Sequence, residues 1–316
     1  MVEMSHRIAT LRTLLPELEQ ALHSFTSSSA KFRIVRTVHP ASASRAAKTL
    51  YILDSSFNPP SIAHLALAKS ALTNPAPADE TPFRLLLLFS THNADKAPSP
   101  ASFVQRLALM TVFAEDVVQQ LSLHPTDSEA SNNEQDGGIT VDIGLTKEPY
   151  YTDKSIAITE LQPAPYPSRP RHVHLVGYDT LIRFCNPKYY KEYEPPLSAL
   201  RPFFEPGHKL RVTQRPFNPS DSSSSEFGSI EEQEAYVKHL REGRMEDVGF
   251  EKAWADGGID MVQADEGVGV SSTRVRKAAK ERDWDTVGKL CTEGVAAWIR
   301  DQELYSEDAT GKKMMG

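Results

Sequence analysis

The sequence predicts an α/β protein in which a parallel sheet carries helices on both faces. Three observations predict it. Short apolar segments recur at residues 49–53, 85–89, 139–145, 172–176 and 210–213. Stretches with helical spacing of apolar residues, at 62–72 and 103–113, alternate with them. Such alternation marks strand–helix–strand units, whose crossover helices cover both sheet faces. The segment 85–89 is apolar without a break, as a strand buried on both faces requires. With 316 residues, 40% of them hydrophobic, the chain can bury a core of that size.

The elements follow in order. Ile8, Leu11, Leu14, Leu15, Leu18 and Leu22 lie at helical spacing, so residues 6–25 form an amphipathic helix that covers the core. Residues 27–30 are a small polar break, and 32–36 read as an edge strand. The strand at 49–53 runs into a turn holding Pro59 and Pro60, and the helix at 62–72 stops near Pro75. Strand 85–89, helix 103–113 and strands 139–145, 172–176 and 210–213 come next, with a weak strand at Met261 and Val262. A helix beyond Thr273 puts Val275, Ala278 and Ala279 on one face. Two polar segments, about 126–138 and 218–228, read as surface insertions. The expected organisation is a helical lead-in over 1–47, a single domain over 48–305 and a frayed tail over 306–316.

Composition excludes several classes. Acidic residues exceed basic ones by 42 − 35 = 7, which argues against a nucleic-acid surface built from clustered Lys and Arg. No apolar run approaches the ~20 residues of a membrane span, and the first residues lack the order of a signal peptide. Cys185 and Cys291 are too few and too far apart for a disulfide framework or a typical zinc site, so a reducing compartment is expected. The expected location is the cytoplasm, with the nucleus also open to a chain of this size.

Two segments carry chemistry. In the first, the strand at 49–53 leads through Ser56-Phe57-Asn58-Pro59-Pro60-Ser61 into a helix whose first turn holds His64. Ligands gather at the carboxyl ends of strands in an open α/β sheet. A helix N-terminus there offers free N–H groups and a positive dipole end to an anion. Ser61 is placed to cap that helix, and His64 to face the same anion. The second segment is Val270-Ser271-Ser272-Thr273-Arg274-Val275-Arg276, preceded by Gly267 and Gly269. Ser271 or Ser272 can cap its helix. Arg274 and Arg276, two apart, point in different directions, one to ligand and one to solvent. Hydroxyls, free N–H groups and a guanidinium fork make a second anion cradle.

The two segments together resemble the paired signatures of the nucleotidylyltransferase superfamily, and most closely the divergent fungal-type members of the nicotinamide mononucleotide adenylyltransferase family. Residues 56–64 resemble the family's first turn, and 270–276 its Ser-Ser-Thr-x-x-Arg signature. Gly177-Tyr178-Asp179 resembles the family's Gly-x-Asp step, Asn93 and Lys96 its post-strand loop, and Thr213-Gln214-Arg215 its Arg-bearing strand end. The resemblance covers roughly residues 48–300 and departs from the pattern in three places. Ser55 stands where Gly is usual, Ser61 where His or Thr is usual, and Arg282-Asp283 near a usual Gly.

The resemblance implies a Rossmann-like nucleotidylyltransferase fold, and an enzyme joining ATP and nicotinamide mononucleotide to give NAD and pyrophosphate. It implies His64, Ser61, Lys96 and Arg276 as catalytic residues. Ser56, Phe57, Asn58, Gly177, Asp179, Arg215, Ser271, Ser272 and Thr273 would bind the nucleotide. Ser61 and His64 would meet the α- and β-phosphates, and Asp179 the ribose. Mg²⁺ would be held mainly by ATP phosphates, with no protein metal cluster. Phe184, Tyr190 and Phe203 are candidates to stack on the pyridine ring, with Trp254 and Trp284 further options. Partners would be small molecules only, with neither nucleic acid nor membrane among them. A transferase of the superfamily acting on phosphopantetheine or using CTP is one alternative, and a nucleotide-binding regulatory protein with little transferase activity is another.

Overall fold

The computed structural model describes residues 2–38, 46–91, 101–123, 139–216, 227–264 and 270–306. Lys96, Asn93, Gly267, Gly269 and most of both expected insertions lie outside them. Helix α1 (Val2–Thr26) leads to β1 (Phe32–Val38) and β2 (Thr49–Asp54), followed by α2 (Ile62–Thr73), β3 (Phe83–Ser90), α3 (Phe103–Leu123) and β4 (Val141–Thr146). Next come α4 (Tyr151–Glu160), β5 (Arg171–Gly177), α5 (Tyr178–Phe184), α6 (Arg201–Phe204) and β6 (Lys209–Thr213). The chain continues through α7 (Ile230–Arg241), α8 (Lys252–Gly258), β7 (Ile259–Val262), α9 (Ser272–Lys280), α10 (Trp284–Leu290) and α11 (Glu293–Asp301).

Among the described residues the strands form one seven-stranded sheet in the order β1-β4-β3-β2-β5-β6-β7. Every pairing is parallel except that of the edge strand β1, which runs antiparallel to β4. Strand order therefore reverses between β2 and β5. At such a switch point the connections leave in opposite directions and open a crevice beyond the strand ends.

Side-chain alternation sends each central strand to two cores. Tyr51 and Leu53 of β2, with Leu85, Leu87 and Phe89 of β3, pack with residues of α1, α2, α3, α9, α10 and α11. Leu50 and Ile52, with Leu86 and Leu88, face Ala157 and Ile158 of α4 on the opposite side. A third cluster joins Leu210 and Val212 of β6 to Phe203, Phe204, Phe250 and Trp254. The parallel sheet with helices on both faces is thus the observed architecture. No helix among the described residues is long and apolar enough to cross a membrane.

The amino-terminal helix docks by charge as well as by apolar contact. Arg7 bonds Glu115 at 3.0 Å and Asp116 at 2.7 Å on α3, and the Gly294 N–H of α11 donates to Asp116 at 3.0 Å. A Cβ at Gly294 would stand 2.5 Å from Val112, so only glycine lets α11 approach α3 this closely. On β4, the fully buried Asp142 carboxylate accepts from Arg84 at 2.6 Å, Tyr166 at 2.8 Å and Thr37 at 2.7 Å, tying β1 and β3 to β4.

Differences from the sequence reading are local. At the end of the expected 218–228 insertion, Phe227 lies under the Arg215 guanidinium at 4.9 Å. Arg282, where glycine was noted as usual, does adopt a left-handed backbone (φ 55°). Cys185 and Cys291 are both buried free thiols.

A histidine cluster beneath α4 sets acid sensitivity. His172 and His208 rings stack at 4.2 Å, and the His172 N–H donates to His208 Nδ1 at 3.2 Å. His174 meets the Ser155 hydroxyl at 2.9 Å. Burial holds His172 and His174 well below the ordinary imidazole range and pushes His208 down to about 4. The unfolded chain titrates near the ordinary value of about 6.5, so below it the unfolded state binds more protons. Stability is therefore fully present above pH 6.5 and is lost as pH falls toward 4, at about 1.4 kcal/mol per unit of separation. The expected result is a marked fall in Tm between pH 7 and pH 5. His208→Asn, whose Oδ1 can replace Nδ1 as acceptor, should flatten it; a flat wild-type profile contradicts the account.

Candidate active site

The switch point brings the turn after β2 beside the turn after β5. Asp54 ends β2, and residues 55–61 cross to α2. Phe57 takes a left-handed backbone there (φ 45°) with its ring fully buried against His64, centroids 5.4 Å apart. A bulky residue in that region costs on the order of 1–3 kcal/mol, a strain that surrounding packing must impose.

Ser61 is the N-cap of α2, as expected, with extended backbone (φ −133°, ψ 174°). His64 returns to it: the Ser61 N–H donates to His64 Nδ1 at 3.0 Å, and the Ser61 hydroxyl lies 3.1 Å from the same nitrogen. A backbone N–H can only donate, so Nδ1 is the acceptor and the ring proton sits on Nε2. Nε2 then donates to the Ser55 hydroxyl at 2.9 Å. Burial pushes His64 down to about 4, so at neutral pH it is an uncharged N–H donor.

Ser61 is fully buried, with its hydroxyl facing His64. The Phe57 side chain is part of the main core cluster. Ser56 is exposed at the mouth of the turn.

The second motif sits directly on the first. Ser271 caps α9, accepting from the Arg274 N–H at 3.4 Å. Ser272 donates to the Pro59 carbonyl at 2.8 Å. Arg276 donates to the Asn58 carbonyl at 2.8 Å and to the Thr273 hydroxyl at 3.0 Å, while Arg274 is exposed. The Cys291 thiol faces the Pro60 carbonyl at 3.4 Å, and the Tyr305 hydroxyl donates to Asn58 Oδ1 at 3.0 Å. Four groups from residues 272–305 thus clamp three consecutive turn residues. The N-termini of α2 and α9 are thereby held together.

On the β5 side, Gly177 caps α5 and Asp179 lies in its first turn. A Cβ on Gly177 would stand 2.7 Å from Asp179 Oδ1, so glycine makes room for that carboxylate. Arg215, expected near phosphate, pairs with Asp179 at 3.2 Å. The Gln233 side chain brackets its backbone, accepting from the Arg215 N–H at 3.0 Å and donating to the Arg215 carbonyl at 2.7 Å. Adjacent strands lie about 4.8 Å apart, so the end of β6 stands roughly 10 Å from that of β2.

The aromatic candidates fall in the core. Phe203 is fully buried, Phe184 nearly so, and the Tyr190 hydroxyl donates to the Phe184 carbonyl at 2.9 Å. Trp254 stacks on Phe204 at 5.2 Å, and Trp284 lies under Arg300 at 5.9 Å. Tyr150, just before α4, was missed; it is 43% exposed and its ring lies 6.0 Å from Tyr190.

Two further charged groups were also missed. Lys154 on α4 pairs with Asp54 at the end of β2, with only 6% and 9% of the two side chains exposed. Arg106 on α3 is buried, lies over Phe89 and Phe103, donates to the Ala101 carbonyl at 3.2 Å and feels the charge of Arg276. Among the described residues no carboxylate is in ion-pair contact with Arg106. A buried guanidinium without a carboxylate partner favours an anion nearby.

A mostly parallel sheet with its switch point at β2 and β5, and two helix N-termini clamped together beyond it, define a Rossmann-like α/β fold with a candidate anion site at the strand ends. No protein-family model matches the chain. It is 28% identical over 260 residues to a Schizosaccharomyces pombe protein named "Putative nicotinamide mononucleotide adenylyltransferase", covering 82% of this chain and 86% of that one. Among solved structures it is similar to the nicotinic acid mononucleotide adenylyltransferase of Plasmodium falciparum complexed with NaAD (TM-score 0.45, 13% identity, 82% and 97% of the two chains). A Vibrio parahaemolyticus structure titled "Putative Nicotinate-nucleotide Adenylyltransferase" is also similar (TM-score 0.38, 14% identity, 82% and 96%). The chain is thus similar, over most of the length of both, to a protein named as a mononucleotide adenylyltransferase.

Proposed function

We propose that the protein transfers the adenylyl group of ATP to a pyridine mononucleotide, with nicotinamide mononucleotide as the acceptor, giving NAD and pyrophosphate. The observation that carries this reading is the clamp of Ser272 and Arg276 on Asn58 and Pro59, which places both helix N-termini and His64 at the switch point. The name of the yeast relative supports nicotinamide mononucleotide as the acceptor.

In the reaction a phosphate oxygen of the mononucleotide bonds to the α-phosphorus of ATP. The bond from that phosphorus to the α,β-bridging oxygen breaks, and its electron pair leaves with pyrophosphate. The nucleophile is already an anion, so no proton needs to be removed. The protein's work is to align two mutually repelling anions and to stabilise charge on the leaving group. His64 offers a neutral Nε2–H that exchanges Ser55 for a phosphate oxygen, and the first N–H groups of α2 and α9 add a dipole. Arg276 and Arg106 supply positive charge, and Asp179 accepts from a ribose hydroxyl. Tyr150 presents an aromatic face at the rim. Asp54 and Asp179 are each spent on a cation, so Mg²⁺ would be held by ATP phosphate oxygens and water, with Ser56 nearby, neutralising the triphosphate.

The test is to incubate the protein with ATP, Mg²⁺ and either nicotinamide or nicotinate mononucleotide, following dinucleotide and pyrophosphate. NAD formed faster than the nicotinate dinucleotide supports the reading. The reverse order reassigns the acceptor, and no pyrophosphate from either abandons adenylyl transfer.

A further inference from the structure

We propose that Tyr305 is a positioning residue of this site: it fixes Asn58, and through Asn58 the turn that aims His64 and the N-terminus of α2. The proposal rests on the adenylyltransferase reading for the step it affects.

Tyr305 lies four residues beyond α11 and is 2% exposed. Its hydroxyl donates to Asn58 Oδ1 at 3.0 Å, across 247 residues of sequence. Asn58 is thereby held at two acceptors, its carbonyl by Arg276 and its side-chain oxygen by Tyr305. An amide whose oxygen accepts from Tyr305 turns its NH₂ end away from that hydroxyl, so the donor end of Asn58 has one fixed direction.

The backbone carries a cost for this placement. Tyr305 adopts φ 67°, and Glu303 two residues earlier φ 46°, both in the left-handed region that side chains avoid. Glu303 is tied to the equally left-handed Arg282 by an ion pair at 3.1 Å. An exposed ion pair thus links the two left-handed turns near the point where Tyr305 enters the core. A tyrosine wanted only for its ring would not need the hydroxyl's aim at Asn58. Packing explains the ring, which joins the main core cluster; the hydroxyl has its acceptor in the site.

The chain from Tyr305 to chemistry is short. Asn58 precedes Pro59 and Pro60, whose carbonyls take Ser272 and Cys291. Ser61 follows and holds His64 Nδ1. A turn free to shift by a fraction of an ångström moves the His64 donor and the helix N-terminus together, and misplacements near 1 Å cost up to ~10²-fold in rate.

The experiment uses Tyr305→Phe, which keeps the ring and removes one hydroxyl, together with Asn58→Ala and the double variant. Expected for Tyr305→Phe is a fall in kcat of about tenfold, with KM for ATP changed far less and Tm close to wild type. In the Asn58→Ala background the same change should have little further effect, since coupled residues are not additive. Hydrogen exchange of the peptide spanning residues 55–65 should quicken in Tyr305→Phe. A wild-type kcat for Tyr305→Phe, or full additivity with Asn58→Ala, overturns the proposal. A wild-type protein that makes no dinucleotide sinks the adenylyltransferase reading instead. Exchange then decides the placement: unchanged rates at residues 55–65 overturn it, and quickened rates leave Tyr305 positioning the turn for another reaction.

Discussion

His64→Ala lowers the rate of dinucleotide formation by about 10²-fold or more, the scale set by removing one preorganised donor from a transition state. The geometry makes the expectation specific. Nδ1 is committed to the Ser61 N–H, which leaves Nε2–H as the working donor. Burial pushes the ring down to about 4, so the rate carried by this donor should stay level from pH 6 to 8 instead of titrating near 6.5. His64→Gln retains a side-chain N–H and should recover part of the loss; a positively charged Lys at 64 should not. The alanine variant also loses the return contact to the N-cap, a loss of about 1 kcal/mol in a helix-cap setting. Thermal melting therefore accompanies the kinetics. A folded His64→Ala protein with near wild-type turnover would remove His64 from the site.

Lys154→Met destabilises the protein by about 3–5 kcal/mol, the range for removing one partner of a buried ion pair. Methionine fills much of the lysine volume, so packing is largely kept. What changes is that Asp54, 9% exposed, loses its counter-ion. Lys154 also sits 5.1 Å from the Tyr151 ring, and that attraction goes too. Pairing the change with Asp54→Leu should return most of the stability, since an apolar pair of similar volume often matches a buried ion pair. Urea denaturation of the single and double variants measures both values. A single variant within 1 kcal/mol of wild type would show that Asp54 finds water or another donor. Because Asp54 adjoins Ser55, turnover should fall in the single variant as well.

The sheet was legible because a strand buried on both faces must be apolar throughout, as Leu85 to Phe89 are. Short helices were not. The sequence reading passed over α4, α5, α7, α8, α10 and α11, of 7 to 12 residues each, which show at most three turns of periodicity. The two turns of the site were legible from their cap residues and spacing. Their mutual contact was expected from motif order, but its atoms were not: Ser272 meets Pro59 across 213 residues and Lys154 meets Asp54 across 100. A lysine in a polar helix and a tyrosine beyond the last one look like ordinary surface and ordinary core. Only tertiary placement gives them a polar partner in the site. Lys96 lies outside the described residues, and its expected role stands as a proposal.

The clamp on residues 58–60 also sets a timetable for synthesis. Its contributors are separated from that turn by 213, 218, 231 and 247 residues. A ribosome delivers β2, β3 and β5 early, and those strands can pair while translation continues. Ser272, Arg276, Cys291 and Tyr305 clear the exit tunnel near the end, and their contacts close the longest loops in the chain. A growing chain thus carries an unbraced turn until those residues emerge. The proposed site is therefore expected to be complete only once residue 305 is free to dock.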